Sequence, residues 1–389
     1  MVETEKDVAS EADDKVAGVA DHVWAPLGPA DAENVKADEA AVTLGASSGL
    51  KLSGGVAASA LSAGINAAKQ ASASDDKEDK ENKNTNHGGG PSWFMNAPSP
   101  SHFLYGMDAA SPARAHMAAL FDRLYPPDGP PRPSALVVVS AHWEGPSPGA
   151  VETLATDHLF FDYYGFPPET YTVRYDCPTD PALASSIATT LREAGITAEV
   201  HSGRRGWDHG VFIPLAVVAP AASIPVVQVS LVGGLGAAAH LRLGEALAPL
   251  RAAGVLLVAS GQSTHNLREL MGRGEGEGGD GEGSVLPWAA RFQAWLDDTV
   301  TGTVGGLPPE GQQGEARDGA GWDMDAETNR RRAALVGWTA APDARSAHPR
   351  EEHLMPLLVA AGAAGGGRGE KLWGGWAAGH MSLASYLWW

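Results

Sequence analysis

The stretch VVVSAHWEG, Val137 to Gly145, sets a histidine and a tryptophan directly after a run of β-branched apolar residues. Such a run reads as a buried strand, with side chains covered on both faces. An imidazole has no packing reason to follow it. His142 is therefore a candidate for chemistry at the carboxyl end of a strand, the edge where open α/β sheets bind their ligands.

The pattern recurs along the chain. GVLLVASGQSTH (254–265) is a second buried strand that delivers His265, and PVVQVSLV (225–232) and TAEVHS (197–202) read as further strands. Between and after them lie helical segments: SPARAHMAALFDRLYP with Ser111 and Pro112 as start signals, DPALASSIATTLREAGI ending at Gly195, LGAAAHLRLGEALAPLRAAG, SVLPWAARFQAWLDDTV and DAETNRRRAALVGW. REEHLMPLLVAAGAAGG, acidic at its start and glycine at its end, reads as one more helix and would carry His353 on its face. YYGFPPETYTVRY has the alternation of a half-buried strand, and HMSLASYLWW reads as a closing strand. This alternation predicts an α/β domain: a central, mostly parallel sheet with helices on both faces.

Residues 1–86, rich in Ala, Ser and charged residues and ending in SASDDKEDKENKNTN, form a predicted disordered tail, and residues 87–389 the single folded domain. Two Gly-rich stretches near 272–283 and 302–321 read as surface insertions. The uncharged run from Val211 to Ala239 is broken by Pro214, Pro220, Pro225 and the Gly233/Gly234 pair, so it reads as a short helix and a buried strand rather than a membrane span.

The net charge of −19 over 389 residues, without a clustered basic patch, argues against a nucleic-acid partner. A single cysteine, Cys177, excludes a disulfide framework and a thiolate-rich zinc site, so any metal must be held by His, Asp or Glu. With no secretory signal at Met1 onward, a cytosolic setting is the default.

Two further histidines lie in Gly-rich surroundings that allow close backbone approach: His87 in NHGGGP and His209 in GWDHGVFIPL. His87, His142, His209 and His265 together offer three imidazoles for a divalent metal and one free acid/base. Asp208 and Glu144 could orient the ligands from behind.

HGGGP, SAHW, YYGFPPETYTVRYDCP, GWDHGVFIPL, ASGQSTHNL and HPREEHLMPLLVAAGAAGG occur in the order of the signature segments of the class III extradiol ring-cleavage dioxygenases. The combination most resembles their DOPA-cleaving branch. The resemblance spans about residues 87–389. It implies that His87, His142 and His265 bind one divalent metal, Fe(II) or Zn(II), that His209 is the active-site acid/base, and that His353 and His348 line the substrate pocket. It also implies that the partners are a small catechol and O2, which open the ring beside the diol. In the family a short apolar strand carries the first histidine. Here DKENKNTN precedes His87, so the first strand would be missing or taken from upstream, as from AAVTL. A zinc hydrolase using His209 as base, and a metal-free binding protein on the same scaffold, are the competing readings.

Overall fold

The computed structural model describes residues 90–96, 112–272, 285–302 and 326–389. The tail 1–86, His87 and the bulk of both Gly-rich stretches lie outside the described residues.

Three strands make the centre of the sheet: β2 (Ala135–Pro148), β5 (Val226–Gly233) and β6 (Val255–Gly261), with β2 parallel to both others. Val137, Val138, Val139, Val227, Val229, Leu257 and Val258 have no exposure, as continuous apolar runs require when helices cover both faces. The eight-stranded order is completed by β1 (Ser92–Asn96), β3 (Ala150–Leu154), β4 (Thr197–Val200), β7 (Glu370–Trp373) and β10 (Ser385–Trp388), giving β4-β3-β5-β2-β6-β1-β10-β7. The four inner strands β5, β2, β6 and β1 are parallel; antiparallel pairings occur where β3 meets β5 and where β10 meets β1 and β7. A separate ribbon pairs β8 (Trp376–Ala377) with β9 (Met381–Ser382).

On one face, helices α1 (Pro112–Leu124) and α3 (His209–Val218) bury Met117, Leu120, Phe121, Val211 and Phe212 against Leu136, Val138 and Val258. On the other, α2 (Pro181–Glu193), α4 (Ala237–Ala252), α5 (Pro287–Thr301) and α7 (Met355–Ala363) cover Val137, Val139 and Leu257, and α6 (Ala326–Val336) adds Leu335. The α/β architecture is thus the one the alternation predicts.

Four local expectations are corrected. The slot beside β6 is filled by SWFMN, which follows His87, rather than by an upstream segment; Trp93, Phe94 and Met95 supply the apolar side chains the slot needs. β2 does not stop before His142: it parts from β6 after Ser140 and continues, with register shifts, along β5 to Pro148. YYGFPPETYTVRY is no strand, because consecutive prolines at 167 and 168 start a short 3-10 turn at Pro168–Thr172. The last long helix begins at Met355, so His353 sits in the turn before it.

Candidate active site

Strand ends and a helix start bring four imidazoles together at the carboxyl rim of the central strands. His142 extends from β2, His265 follows β6, His209 is the first residue of α3, and His353 precedes α7. The rings of His142 and His209 are centred 3.9 Å apart, His142 and His353 4.9 Å, and His265 and His353 3.5 Å. Two sets of potential metal-binding atoms result, His142 with Asp162 and His209, and His265 with Glu352 and His353, each with ligand atoms within 4.8 Å of one another.

Close approach at this rim depends on two glycines. A Cβ on Gly210 would lie 2.5 Å from Ser140 Oγ and 3.0 Å from His142 Cδ2, so only glycine lets α3 begin against β2. A Cβ on Gly261 would lie 2.4 Å from the carbonyl oxygen of His353, which accepts from Gln262 N at 2.8 Å. The second contact fixes the His353 turn on the end of β6.

Asp162 organises His209. One carboxylate oxygen accepts from the backbone N–H of His209 at 2.9 Å and from its Nδ1 at 2.8 Å; the other lies 3.7 Å from His142 Nδ1. Burial works against a charged imidazole at His209, yet the Asp162 carboxylate and its hydrogen bond, with Asp208 beyond, outweigh burial and raise its proton affinity above the ordinary value. The same contacts hold Asp162 well below the usual carboxylate range against its own burial. Tyr163 meets the His209 ring edge-on, with centroids 5.5 Å apart, and fixes its plane.

A second carboxylate sits behind His142. Fully buried Asp208 accepts from Ser140 Oγ at 2.7 Å, Arg205 at 3.0 Å and Gln228 at 2.5 Å. Ser140 Oγ in turn accepts from His142 N at 3.2 Å, and Arg205 donates to His142 O at 3.1 Å. Asp208 therefore positions the His142 backbone. Among the described residues no hydrogen bond links Glu144 to a histidine ring of the cluster; it accepts from Gly234 N and pairs with Arg350.

The donor set is suited to a cation. His142 is pushed down to about 4 by burial and then by the neighbouring His209, while burial, aided by nearby imidazoles, places His265 and His353 well below the ordinary histidine value. These three rings are neutral at pH 7, the form that binds metals. His142 Nε2 is buried without any hydrogen-bond partner, an orphan that a metal would satisfy. Glu352 accepts from His353 Nδ1 at 3.2 Å, which orients that ring.

His348 is buried elsewhere in the same loop system, with Nε2 donating to Ser263 O at 2.9 Å and its ring edge-on to Phe292 and Trp338. His87 lies outside the described residues; Gly90, three positions later, is tied to Arg251 at the amino-terminal end of β6. Sequence reading missed Asp162 and Glu352. The available signal for Asp162 was a lone carboxylate in the aromatic run FFDYYGF, and for Glu352 its place beside His353.

A sheet of this topology with clustered imidazoles at its carboxyl rim is a framework suited to holding a divalent metal. Residues 128–387 match the family model described as the catalytic LigB subunit of aromatic ring-opening dioxygenase, and the chain belongs to that family. It is 35% identical over 285 residues to "Dioxygenase tasH" of Hapsidospora irregularis, covering 72% of this chain and 76% of that one. It is 32% identical over 284 residues to the "4,5-DOPA dioxygenase extradiol" of Beta vulgaris, covering 73% and 91%. The crystal structure of the uncharacterized protein JW3007 from Escherichia coli K12 superposes with a TM-score of 0.56 at 27% identity, covering 77% of this chain and 99% of that one. No helix among the described residues is long and apolar enough to cross a membrane.

Proposed function

We propose that this chain is a metal-dependent extradiol dioxygenase that opens a catechol beside its diol with O2, giving a muconic-semialdehyde-type product. The observation that carries the reading is the rim cluster of imidazoles in which His142 Nε2 is buried without a partner. DOPA is the first substrate to try, because relatives carry that activity in their names.

His142, His265 and His353 would hold the ion, Fe(II) and Zn(II) being among the ions suited to imidazole donors. When bound, it supplies a Lewis acid that gathers the two catechol oxygens and lowers their pKa. The remaining work falls to side chains of the chain. Asp162 holds the Nδ1–H of His209, which directs the basic Nε2 away from the carboxylate and raises its affinity for a catechol proton. The same nitrogen can return that proton later in the cycle. Asp208, through Ser140 and Arg205, keeps the His142 backbone in place meanwhile.

The deciding experiment loads the full chain with Fe(II) anaerobically, adds a catechol panel including DOPA, and follows oxygen uptake with the visible spectrum. One O2 consumed per catechol, with a new visible chromophore, is expected. Unchanged oxygen and spectrum for every catechol at full metal loading would overturn the reading and favour a hydrolase; failure to load metal would favour a binding protein.

A further inference from the structure

The buried helix α3, HGVFIPLAVV, carries Pro214 in its interior. A proline has no N–H, so the carbonyl four residues earlier, that of Gly210, loses its partner in the helix ladder. Buried carbonyls are rarely left without a donor, because the lost solvation is not repaid. Here the sheet supplies one: Ser260 Oγ, on β6, donates to Gly210 O at 2.5 Å.

The neighbouring strand does the same on the other side of His209. Ser260 is in register with Ser140 of β2, both are fully buried, and Ser140 Oγ donates to Asp208 Oδ1 at 2.7 Å. Alternation along the strands accounts for the matched positions: Val138 and Val258 pack on the α3 face, and the residue two further on in each strand faces the same way. Two serines in otherwise apolar runs thus bracket His209, one holding the residue before it and the other the residue after it.

This helix start is held from outside. Asp208, at the N-cap position, makes no side-chain bond to the amides of the helix; its carboxylate is taken by Ser140, Arg205 and Gln228. The N–H of His209 goes to Asp162 at 2.9 Å. A Cβ on Gly210 would come within 2.5 Å of Ser140 Oγ, so the turn lies directly on the serine. A turn fixed by its own ladder alone is free to shift as a unit against the sheet. Anchors at 208, 209 and 210, reaching three separate segments, remove that freedom.

We propose that Ser260 is a positioning residue for His209: Pro214 frees the Gly210 carbonyl, and the Ser260 hydroxyl uses it to hold the imidazole in place beside His142 and Asp162. The proposal rests on the reading of His209 as acid/base and deepens it. A displacement of about 1 Å can cost about 100-fold in rate, so the serine acts on turnover through the place of the ring rather than by touching substrate.

Ser260→Ala and the double variant Ser260→Ala/Pro214→Ala separate position from stability. In Ser260→Ala the Gly210 carbonyl loses its donor, so Tm falls, and kcat of the Fe(II)-loaded chain with a catechol falls about 10–100-fold at unchanged KM and metal content. In the double variant the restored N–H at position 214 bonds that carbonyl within the helix, so Tm recovers while kcat stays low. A wild-type kcat in Ser260→Ala, or a kcat that recovers together with Tm, overturns the proposal. A readout free of turnover is the Nδ1 proton of His209, followed by NMR in the full chain with Zn(II) and isotope-labelled histidine, and assigned by its loss in Asp162→Asn. It should exchange with solvent faster in both Ser260 variants than in wild type; equal exchange in all three overturns the proposal. Should wild type consume no O2 with any catechol, the dioxygenase reading falls by itself and this proton still decides the positioning.

Discussion

His265 and His353 stack face to face, with ring centroids 3.5 Å apart and planes inclined by 14°. Burial disfavours a proton on either ring, and nearby imidazoles add to it, His353 acting on His265 and His142 on His353, so both lone-pair nitrogens stay available at neutral pH. One belongs to the end of β6 and the other to the turn tied there through Gln262.

Metal binding should therefore depend on His353 as much as on His142 and His265. His353→Ala should weaken binding by more than about 100-fold, the upper end of what loss of an outer partner costs. His87→Ala should leave metal content near wild type. Gly90 is fixed at the amino-terminal end of β6, three residues of extended chain reach about 10 Å, and the strand from Val255 to Gly261 is about 20 Å long. Metal analysis of the purified variants after Fe(II) loading reads both outcomes; metal lost in His87→Ala and kept in His353→Ala would reverse the assignment.

Asp162 should matter to turnover more than to metal. Asp162→Asn keeps the shape but removes the charge that holds Nδ1–H of His209. A fall in kcat of about 10²–10⁴, the range for losing a positioned acid/base, is expected with metal content unchanged. Asp162→Glu should recover part of the rate if the carboxylate can reach Nδ1. Equal kcat in wild type and Asp162→Asn would remove the residue from the proton path.

The valine and leucine runs made β2, β5 and β6 legible because a strand covered on both faces is apolar at most of its positions, with only isolated polar residues such as Gln228 and Ser260. His142, His209 and His265 were legible for the related reason that imidazoles directly after, or in glycine-rich turns near, such runs lack a packing role. The use of SWFMN as β1 was not legible, since five residues carry too little period to distinguish strand from loop without the neighbouring β6. Asp162 was hidden differently. Its importance comes from meeting His209 across 47 residues of chain, a contact no local pattern encodes. The helix of His353 was over-extended because acidic residues suit a first turn, whereas Glu351 and Glu352 here serve Arg345, Arg350 and His353.

Gly210→Ala tests how tightly the rim is packed. The added methyl would press on backbone-anchoring Ser140 Oγ and on the His142 ring, so α3 or β2 must shift by several tenths of an ångström. Activity should fall at least about tenfold while the protein stays folded, because small displacements of reacting groups carry large rate penalties. Circular dichroism against oxygen uptake separates the two effects, and full activity would show that the rim is more pliant than its contacts suggest.

His240, in the first turn of α4 against the end of β5, gives the fold a pH dependence of its own. It is fully buried, donates from Nδ1 to Gly236 O at 2.8 Å and accepts at Nε2 from Val232 N at 3.0 Å, so a second ring proton would displace the Val232 bond. Burial pushes its pKa down to about 4, the Gly236 bond opposing this only in part. The unfolded chain takes up that proton near 6.5, well before the folded one does. Stability from this residue is therefore complete above about 6.5 and is lost as pH falls toward 4, by about 3 kcal/mol in all. Urea denaturation of wild type and His240→Asn, both metal-free, should give curves whose slopes differ by up to about 1.4 kcal/mol per pH unit in that window and run parallel above it. Parallel curves throughout would mean that His240 is already protonated in the folded chain, or that Val232 finds another acceptor.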